Sequence, residues 1–146
     1  MNYRPPRTEV WHRFERQIRA LARDIERRAS AHGLPPCEWF VLAELEYGNR
    51  ISLRELALAS AVSLPAASKA VKRLAVDGLV SVDRVSTDKR LIAISITDSG
   101  MQFLMKERVR KELLATYHEV ITPEGFDALN RSLGILASNL AKSMRL

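Results

Sequence analysis

Basic side chains without an acidic neighbour stand between Leu64 and Val76. The three are Lys69, Lys72 and Arg73, and their spacing places them on one side of a helix. Such a surface suits the phosphates of a nucleic acid, and small residues ahead of it permit close approach to base edges. We predict a DNA-contacting helix whose outward side chains are Pro65, Ala66, Ser68, Lys69, Lys72 and Arg73.

A second charged group, Asp88, Lys89 and Arg90, precedes an alternating run of β-branched residues. In extended backbone Asp88 and Arg90 share a face, so the carboxylate can hold the guanidinium in one orientation. An arginine held in this way suits a narrow, electronegative minor groove. Together with Arg84 on the preceding segment, these residues form the second predicted DNA contact.

The helices that position the first group follow from periodicity and end signals. Apolar residues at spacings of three and four predict a first helix over 8–31, and 34–36 begins a second, largely apolar one. The sequence Ser52-Leu53-Arg54-Glu55 has the form of a capping box, which predicts a short third helix. Ser63 begins the fourth helix, which ends before Gly78.

The second group belongs to a predicted hairpin. Residues 79–84 and 91–96 alternate as strands do, with 86–89 between them. Thr97-Asp98 then caps a fifth helix, and Thr122-Pro123 begins a sixth with apolar residues at spacings of three and four. The sequence therefore predicts a mainly α fold with a small β-hairpin wing: a winged helix-turn-helix over 34–97, flanked by helices over 8–33 and 98–146 that carry apolar stripes.

Composition narrows the possible functions. The 146 residues carry 23 Lys and Arg against 17 Asp and Glu, a net charge of +6, which favours polyanionic partners. The length suits one domain. The apolar runs are shorter than the ~18 residues of a membrane span, and residues 1–7 contain no apolar signal core, so we expect a cytoplasmic protein.

Two stretches give the chain a resemblance to a known family. The first stretch is Asp88-Lys89-Arg90 with Thr97-Asp98-Ser99-Gly100 downstream, and the second is Ser63 to Lys69 leading into Leu74 and Gly78-Leu79-Val80. Together they resemble the multiple-antibiotic-resistance regulator (MarR) family. The resemblance extends from Thr8 to Met144. It implies a homodimer with intertwined first and last helices and a pseudo-palindromic operator. It also implies that Ser68, Lys69 and Arg73 lie on the recognition helix, and that Arg90 is the wing arginine.

The resemblance has two departures and leaves alternatives open. Lys69 stands where members often have Arg, and Ser81-Val82-Asp83 where they often have a basic residue; lysine cannot form the bidentate contact of arginine with guanine. We predict a ligand-responsive repressor of transcription, and the resemblance implies a small-molecule effector pocket between the dimer helices and the winged domain. The alternatives are a protein-interaction module and a ligand sensor without DNA binding, since a basic run is also typical of a solvated helix face.

Other chemistry has weaker support in the sequence. Cys37, in the first turn of the second helix, is a candidate peroxide sensor, but it has no evident cationic partner or resolving cysteine, and we favour a packing role. His12, His32 and His118 lack metal-ligand spacing. No nucleophile elbow or phosphate-binding glycine loop is present. We therefore predict no catalytic site, no metal and no cofactor.

Overall fold

The structure of the chain is a computed structural model. It describes residues 7–31, 33–47, 51–85, 88–106 and 120–143, and for 88–91 the backbone alone. The chain divides into two compact units, Met1–Glu107 and Arg108–Leu146. The first unit contains α1 (Thr8–Ser30), α2 (Pro36–Leu45), α3 (Leu53–Ala59), α4 (Leu64–Val76), β1 (Val80–Val85), β2 (Asp88–Ile96) and α5 (Asp98–Lys106); the second contains α6 (Pro123–Ser143).

Side-chain caps begin the two helices of the helix-turn-helix. At α3 the Ser52 hydroxyl accepts the backbone N–H of Glu55 (3.2 Å), and the Glu55 carboxylate accepts that of Ser52 (2.9 Å), which confirms the predicted capping box. Accepting the Ser52 N–H lowers the pKa of Glu55 below its usual value. At α4 the Ser63 hydroxyl accepts the N–H of Ala66 at 3.3 Å. These local hydrogen bonds fix where both helices begin.

Left-handed residues end the same two helices. Gly78, at φ +72°, follows α4, and its N–H and that of Leu79 return to the carbonyls of Ala75 and Leu74. After α3 the equivalent position is occupied by Ala61 at φ +54°, with Val62 N–H donating to the Ala57 carbonyl. Both ends are Schellman motifs, in which such a residue satisfies carbonyls of the last turn. The second motif makes the tight turn between α3 and α4.

The two strands form an antiparallel hairpin. Val80 pairs with Ile96, and the register runs regularly to Arg84 opposite Ile92, after which it shifts. β2 begins at Asp88, so the prediction that Asp88 and Lys89 belong to the connection is wrong: both lie in the strand, because pairing extends beyond the β-branched run. An isolated bridge joins Ile51 to the buried Ile94, which ties the segment before α3 to the wing.

The core of the first unit forms where α2, α3, α4 and the hairpin meet. The largest fully buried side chains include Leu42 and Leu45 of α2, Leu56 of α3 and Leu74 of α4. Each such side chain contributes about 1.5–3 kcal/mol when removed from water. α2 is therefore the buried scaffold on which the helix-turn-helix rests, as its largely apolar sequence predicts.

A close approach at Gly100 joins α5 to the end of the helix-turn-helix. The Thr97 hydroxyl donates to the Gly78 carbonyl (2.6 Å) and accepts the Gly100 N–H (3.0 Å). A Cβ on Gly100 would overlap the carbonyl oxygen of Leu79 and lie 2.8 Å from Cγ1 of Ile96. No side chain fits between these backbone segments.

We expect Gly100→Ala to lower the free energy of unfolding by about 1–3 kcal/mol, as overpacking does, because its added methyl group meets backbone. Gly134→Ala in α6 is the matched control, since nothing lies within 4 Å of its Cβ position. There we expect a gain of about 0.5–1 kcal/mol from helix propensity. Chemical denaturation measures both, and equal effects would contradict the close approach.

Apolar side chains remain exposed on α1 and on α6, each considered by itself. On α1 they include Trp11, Ile18, Leu21 and Ile25, and Trp11 stacks on Phe14 with ring centroids 5.5 Å apart. On α6 they follow one stripe: Leu129, Leu133, Leu136 and Leu140. The helical spacing of both stripes is as predicted. In the described part of the chain, no helix has the length and apolar character required to cross a membrane.

Candidate nucleic-acid interface

The amino-acid sequence of α4 divides the helix into a buried and an exposed side. Ala67, Ala70, Val71 and Leu74 are buried, as predicted, and pack toward α2 and α3. Pro65, Lys69, Lys72 and Arg73 are exposed, while Ala66 and Ser68 are half-buried. The residues predicted to contact DNA therefore lie on or beside the surface of the protein, and their contact with DNA stays a prediction.

The N-terminal end of α4 is compact. Ser63 caps it, Pro65 occupies the first turn, and Ala66 and Ser68 add little bulk. The helix dipole makes such an end electropositive without a charged side chain, although Pro65 has no N–H and that of Ala66 is donated to Ser63. A helix end of this shape can approach base edges or a phosphate closely.

Two lysines provide the unpaired cationic charge of α4. Lys69 and Lys72 lie three residues apart and are both exposed. Neither forms an ion pair with a carboxylate of the described residues. Their ammonium groups are therefore available to an external anion.

Arg73 differs from the two lysines because a buried acid is paired with it. Its Nη1 lies 3.3 Å from Oε1 of Glu38 in α2, and the Glu38 side chain is only 7% exposed. Sequence reasoning did not predict this contact, because the two residues are 35 positions apart and Glu38 reads as an ordinary polar residue of a first helical turn.

Sequence reasoning also passed over two exposed residues near the proposed interface. Arg54 is exposed in the first turn of α3, and Leu64, the first residue of α4, is 50% exposed. The first helix of a helix-turn-helix crosses the DNA backbone, so Arg54 suits a phosphate. Leu64 is an exposed apolar side chain at the N-terminal end of α4, where it suits contact with the methyl group of thymine.

The wing residues are only partly described. Arg84 is exposed on β1 and pairs in register with Ile92. The backbone of Asp88, Lys89 and Arg90 lies in β2, but their side chains lie outside the described residues. The predicted support of Arg90 by Asp88 stays a prediction.

A cavity of about 650 Å³ lies between α1, the start of α2 and the turn that joins α3 to α4. Its apolar walls include Ile25, Phe40 and Val62. The hydroxyl of Ser60, which lines the cavity, is buried and has no hydrogen-bond partner among the described residues. A largely apolar space with an unsatisfied hydroxyl is suited to a small molecule with one polar group.

Cys37 lines this cavity and is half-buried. Burial raises the pKa of its thiol, and the negative charge of Glu38 raises it further. A sensor cysteine needs a stabilised thiolate. The direction of the shift favours the packing role over peroxide sensing.

Metal chemistry finds no support in the part of the chain that the structure describes, which contains no group of three His, Cys, Asp or Glu side chains able to hold an ion. His12 lies beside Glu15, with 3.7 Å between Nδ1 and Oε2. His32 and His118 lie outside the described residues.

Comparison with known proteins agrees with this geometry. A model of the MarR family matches residues 32–91. The HTH-type transcriptional repressor IacR of Pseudomonas putida is 28% identical over 118 residues, which cover 80% of this chain and 71% of that protein.

Two solved structures share the fold. Sco3205 of Streptomyces coelicolor, a MarR family transcriptional regulator solved with DNA, is 23% identical and has a TM-score of 0.77 over 94% of each chain. The M. tuberculosis regulator MOSR, also solved with DNA, is 22% identical, with a TM-score of 0.70 over 92% of this chain and 97% of its own. The winged helix of the chain therefore matches the MarR family model, and the chain shares the fold of these regulators.

Proposed function

We propose that this protein is a sequence-specific DNA-binding regulator of transcription, and that it acts as a repressor without catalytic activity. One observation carries the proposal: α4 buries its apolar side on α2 and presents a compact electropositive end, followed along its exposed side by two lysines that form no ion pair with the described residues. The major groove admits an α-helix of this kind. IacR, to which the chain is similar, is a transcriptional repressor, which supports repression over activation.

The proposed DNA contacts comprise the recognition helix and the wing. The small residues near the start of α4 approach base edges, while the cations of α4 and the wing approach phosphates or the minor groove. The residues are Pro65, Ala66, Ser68, Lys69 and Lys72 on α4, and Arg84, Asp88, Lys89 and Arg90 on the hairpin; Arg73 lies beside them on α4 and is paired with Glu38.

The active form in this proposal is a homodimer. The apolar stripes of α1 and α6 are exposed in the single chain, and exposed apolar stripes of this kind mark surfaces that bind another protein chain. Segments 8–33 and 98–146 would then pair two chains, while 34–97 forms the DNA-binding lobe. The two recognition helices of the dimer lie about one turn of the DNA duplex apart and read a pseudo-palindromic operator. The bound dimer then occludes a promoter. Such a regulator acts where the chromosome is, in the bacterial cytoplasm.

A small molecule regulates the dimer in this proposal. The cavity bordered by Phe40 and the unsatisfied Ser60 hydroxyl is the candidate effector site, since it touches the turn between α3 and α4. A solved relative of the same fold, BpsR of Bordetella bronchiseptica, has its DNA binding regulated by 6-hydroxynicotinic acid; it is 18% identical, with a TM-score of 0.67 over 83% of this chain and 98% of its own. An effector that binds one spacing of the recognition helices better shifts the dimer toward that spacing.

A labelled random duplex tests DNA binding without knowledge of the operator. Fluorescence anisotropy should show binding whose affinity falls at least on the order of 100-fold between about 50 and 200 mM salt, because Lys69 and Lys72 alone contribute four phosphate contacts per dimer. Binding that is absent or insensitive to salt would contradict the proposal and favour an interaction module or a sensor without DNA binding. Selection of bound fragments from the source genome then identifies the operator.

A further inference from the structure

We infer that Glu38 anchors Arg73 and thereby positions the recognition helix, so that Arg73 is a positioning residue rather than a phosphate contact. The inference rests on the proposed DNA-binding function and refines it. It reassigns a residue whose type and place in α4 alone predict a DNA contact. The phosphate-binding charge of α4 is then carried by Lys69 and Lys72.

The geometry of the pair supports an anchor. Nη1 of Arg73 lies 3.3 Å from Oε1 of Glu38, and the two residues join α4 to α2, the buried scaffold. The side chain of Arg73 is 56% exposed and that of Glu38 is 7% exposed. Arg73 therefore reaches from the protein surface to a buried carboxylate. This is a contact between elements, in contrast to the ion pairs of Asp24 with Arg27 and Arg28 within α1.

Electrostatics explains why the guanidinium stays with Glu38. A buried carboxylate has lost its hydration, and removing its partner leaves an uncompensated charge. If Arg73 moved to a DNA phosphate, the Glu38 carboxylate would stay buried without a partner. Contact of Lys69 or Lys72 with a phosphate leaves no such buried charge, because neither is paired with an acid of the described chain.

The position of Arg73 in α4 gives the anchor its effect on DNA binding. Lys69 lies four residues earlier and Lys72 one residue earlier, so fixing Arg73 limits rotation of α4 about its axis. Val71 and Leu74 hold the buried side of α4, while the small side chains of Ala67 and Ala70 interlock little with its neighbours. The ion pair therefore adds a restraint on the exposed flank of α4, beside both lysines.

The salt dependence of binding to random duplex separates an anchor from a phosphate contact. Loss of one phosphate contact in each subunit lowers the slope of log K against log salt by about 1.8 units per dimer. We expect this decrease for Lys72→Gln, the matched control on the adjacent residue. For Arg73→Gln we expect the wild-type slope with a several-fold weaker affinity, because α4 is held less firmly while the long, flexible side chains of Lys69 and Lys72 still reach phosphates.

A double-mutant cycle gives the second measurement. If Arg73 acts through Glu38, Arg73→Gln should weaken binding much less in a Glu38→Gln background than alone. Glu38→Gln/Arg73→Gln also removes the uncompensated buried charge, so it keeps the test available if Arg73→Gln does not fold. Its slope should equal that of the wild type.

The outcomes distinguish this inference from the proposed function. A decrease of about 1.8 units for Arg73→Gln or for the double variant, or additive effects in the cycle, would overturn the anchor while leaving DNA binding intact. Failure of the wild-type protein to bind duplex in a salt-dependent way would instead overturn the proposed function.

Discussion

Leu133→Glu/Leu136→Glu is expected to convert the protein to monomers and to weaken binding to its operator by about 10²- to 10⁴-fold, the gain that linked binding sites provide. Both leucines lie on the apolar stripe of α6 and are 38% exposed in the single chain. In a dimer interface each glutamate would be removed from water without a partner. Because glutamate is a good helix former, α6 itself should persist.

Analytical ultracentrifugation and anisotropy on the selected operator measure the two effects, with circular dichroism as a check on helicity. Ile135→Glu is the matched control: it places the same group on the same helix about 120° away from the stripe, at a side chain that is 64% exposed. It should leave the dimer and its affinity unchanged. A leucine double variant that stays dimeric would refute the role of α6.

Lys69→Gln/Lys72→Gln should nearly abolish binding to any duplex at physiological salt. Four phosphate contacts per dimer are lost, so the slope of log K against log salt falls by about 3.6 units, and affinity near 0.15 M salt falls on the order of 10³-fold. The fold should be unaffected, since both side chains are exposed and unpaired within the described chain.

The control for this variant removes the same net charge from a different face. Arg16 and Arg23 are exposed on α1, on the side opposite its apolar stripe. Arg16→Gln/Arg23→Gln should keep nearly the wild-type slope. If the two double variants lose affinity equally, the protein attracts DNA through its overall charge, and α4 is not its binding face.

Much of the fold was predictable because its signals act within a few residues. The capping box of Ser52 and Glu55, the cap at Ser63 and the stop at Gly78 are hydrogen-bond patterns that close over three to five positions. The division of α4 into buried and exposed sides follows from the helical period alone. The exposed side of α4 could therefore be predicted from the sequence.

The errors and omissions concern contacts between elements. The strand β2 begins earlier than its β-branched residues suggest, because pairing with β1 is decided by the partner strand. The left-handed conformation of Ala61 was not predicted for a related reason. Glycine usually indicates such a position, and here the surrounding helices impose the conformation on alanine.

The amino-acid sequence by itself determined the order of the elements, the ends of α3 and α4, the apolar stripes and the cationic side of α4, since each depends on neighbours along the chain. Tertiary structure alone decided that Arg73 is paired, that Ile51 bridges to Ile94, and that Ser60 is buried beside a cavity. These features join residues from separate elements, and their energies depend on distances and dielectric environments that exist only after packing.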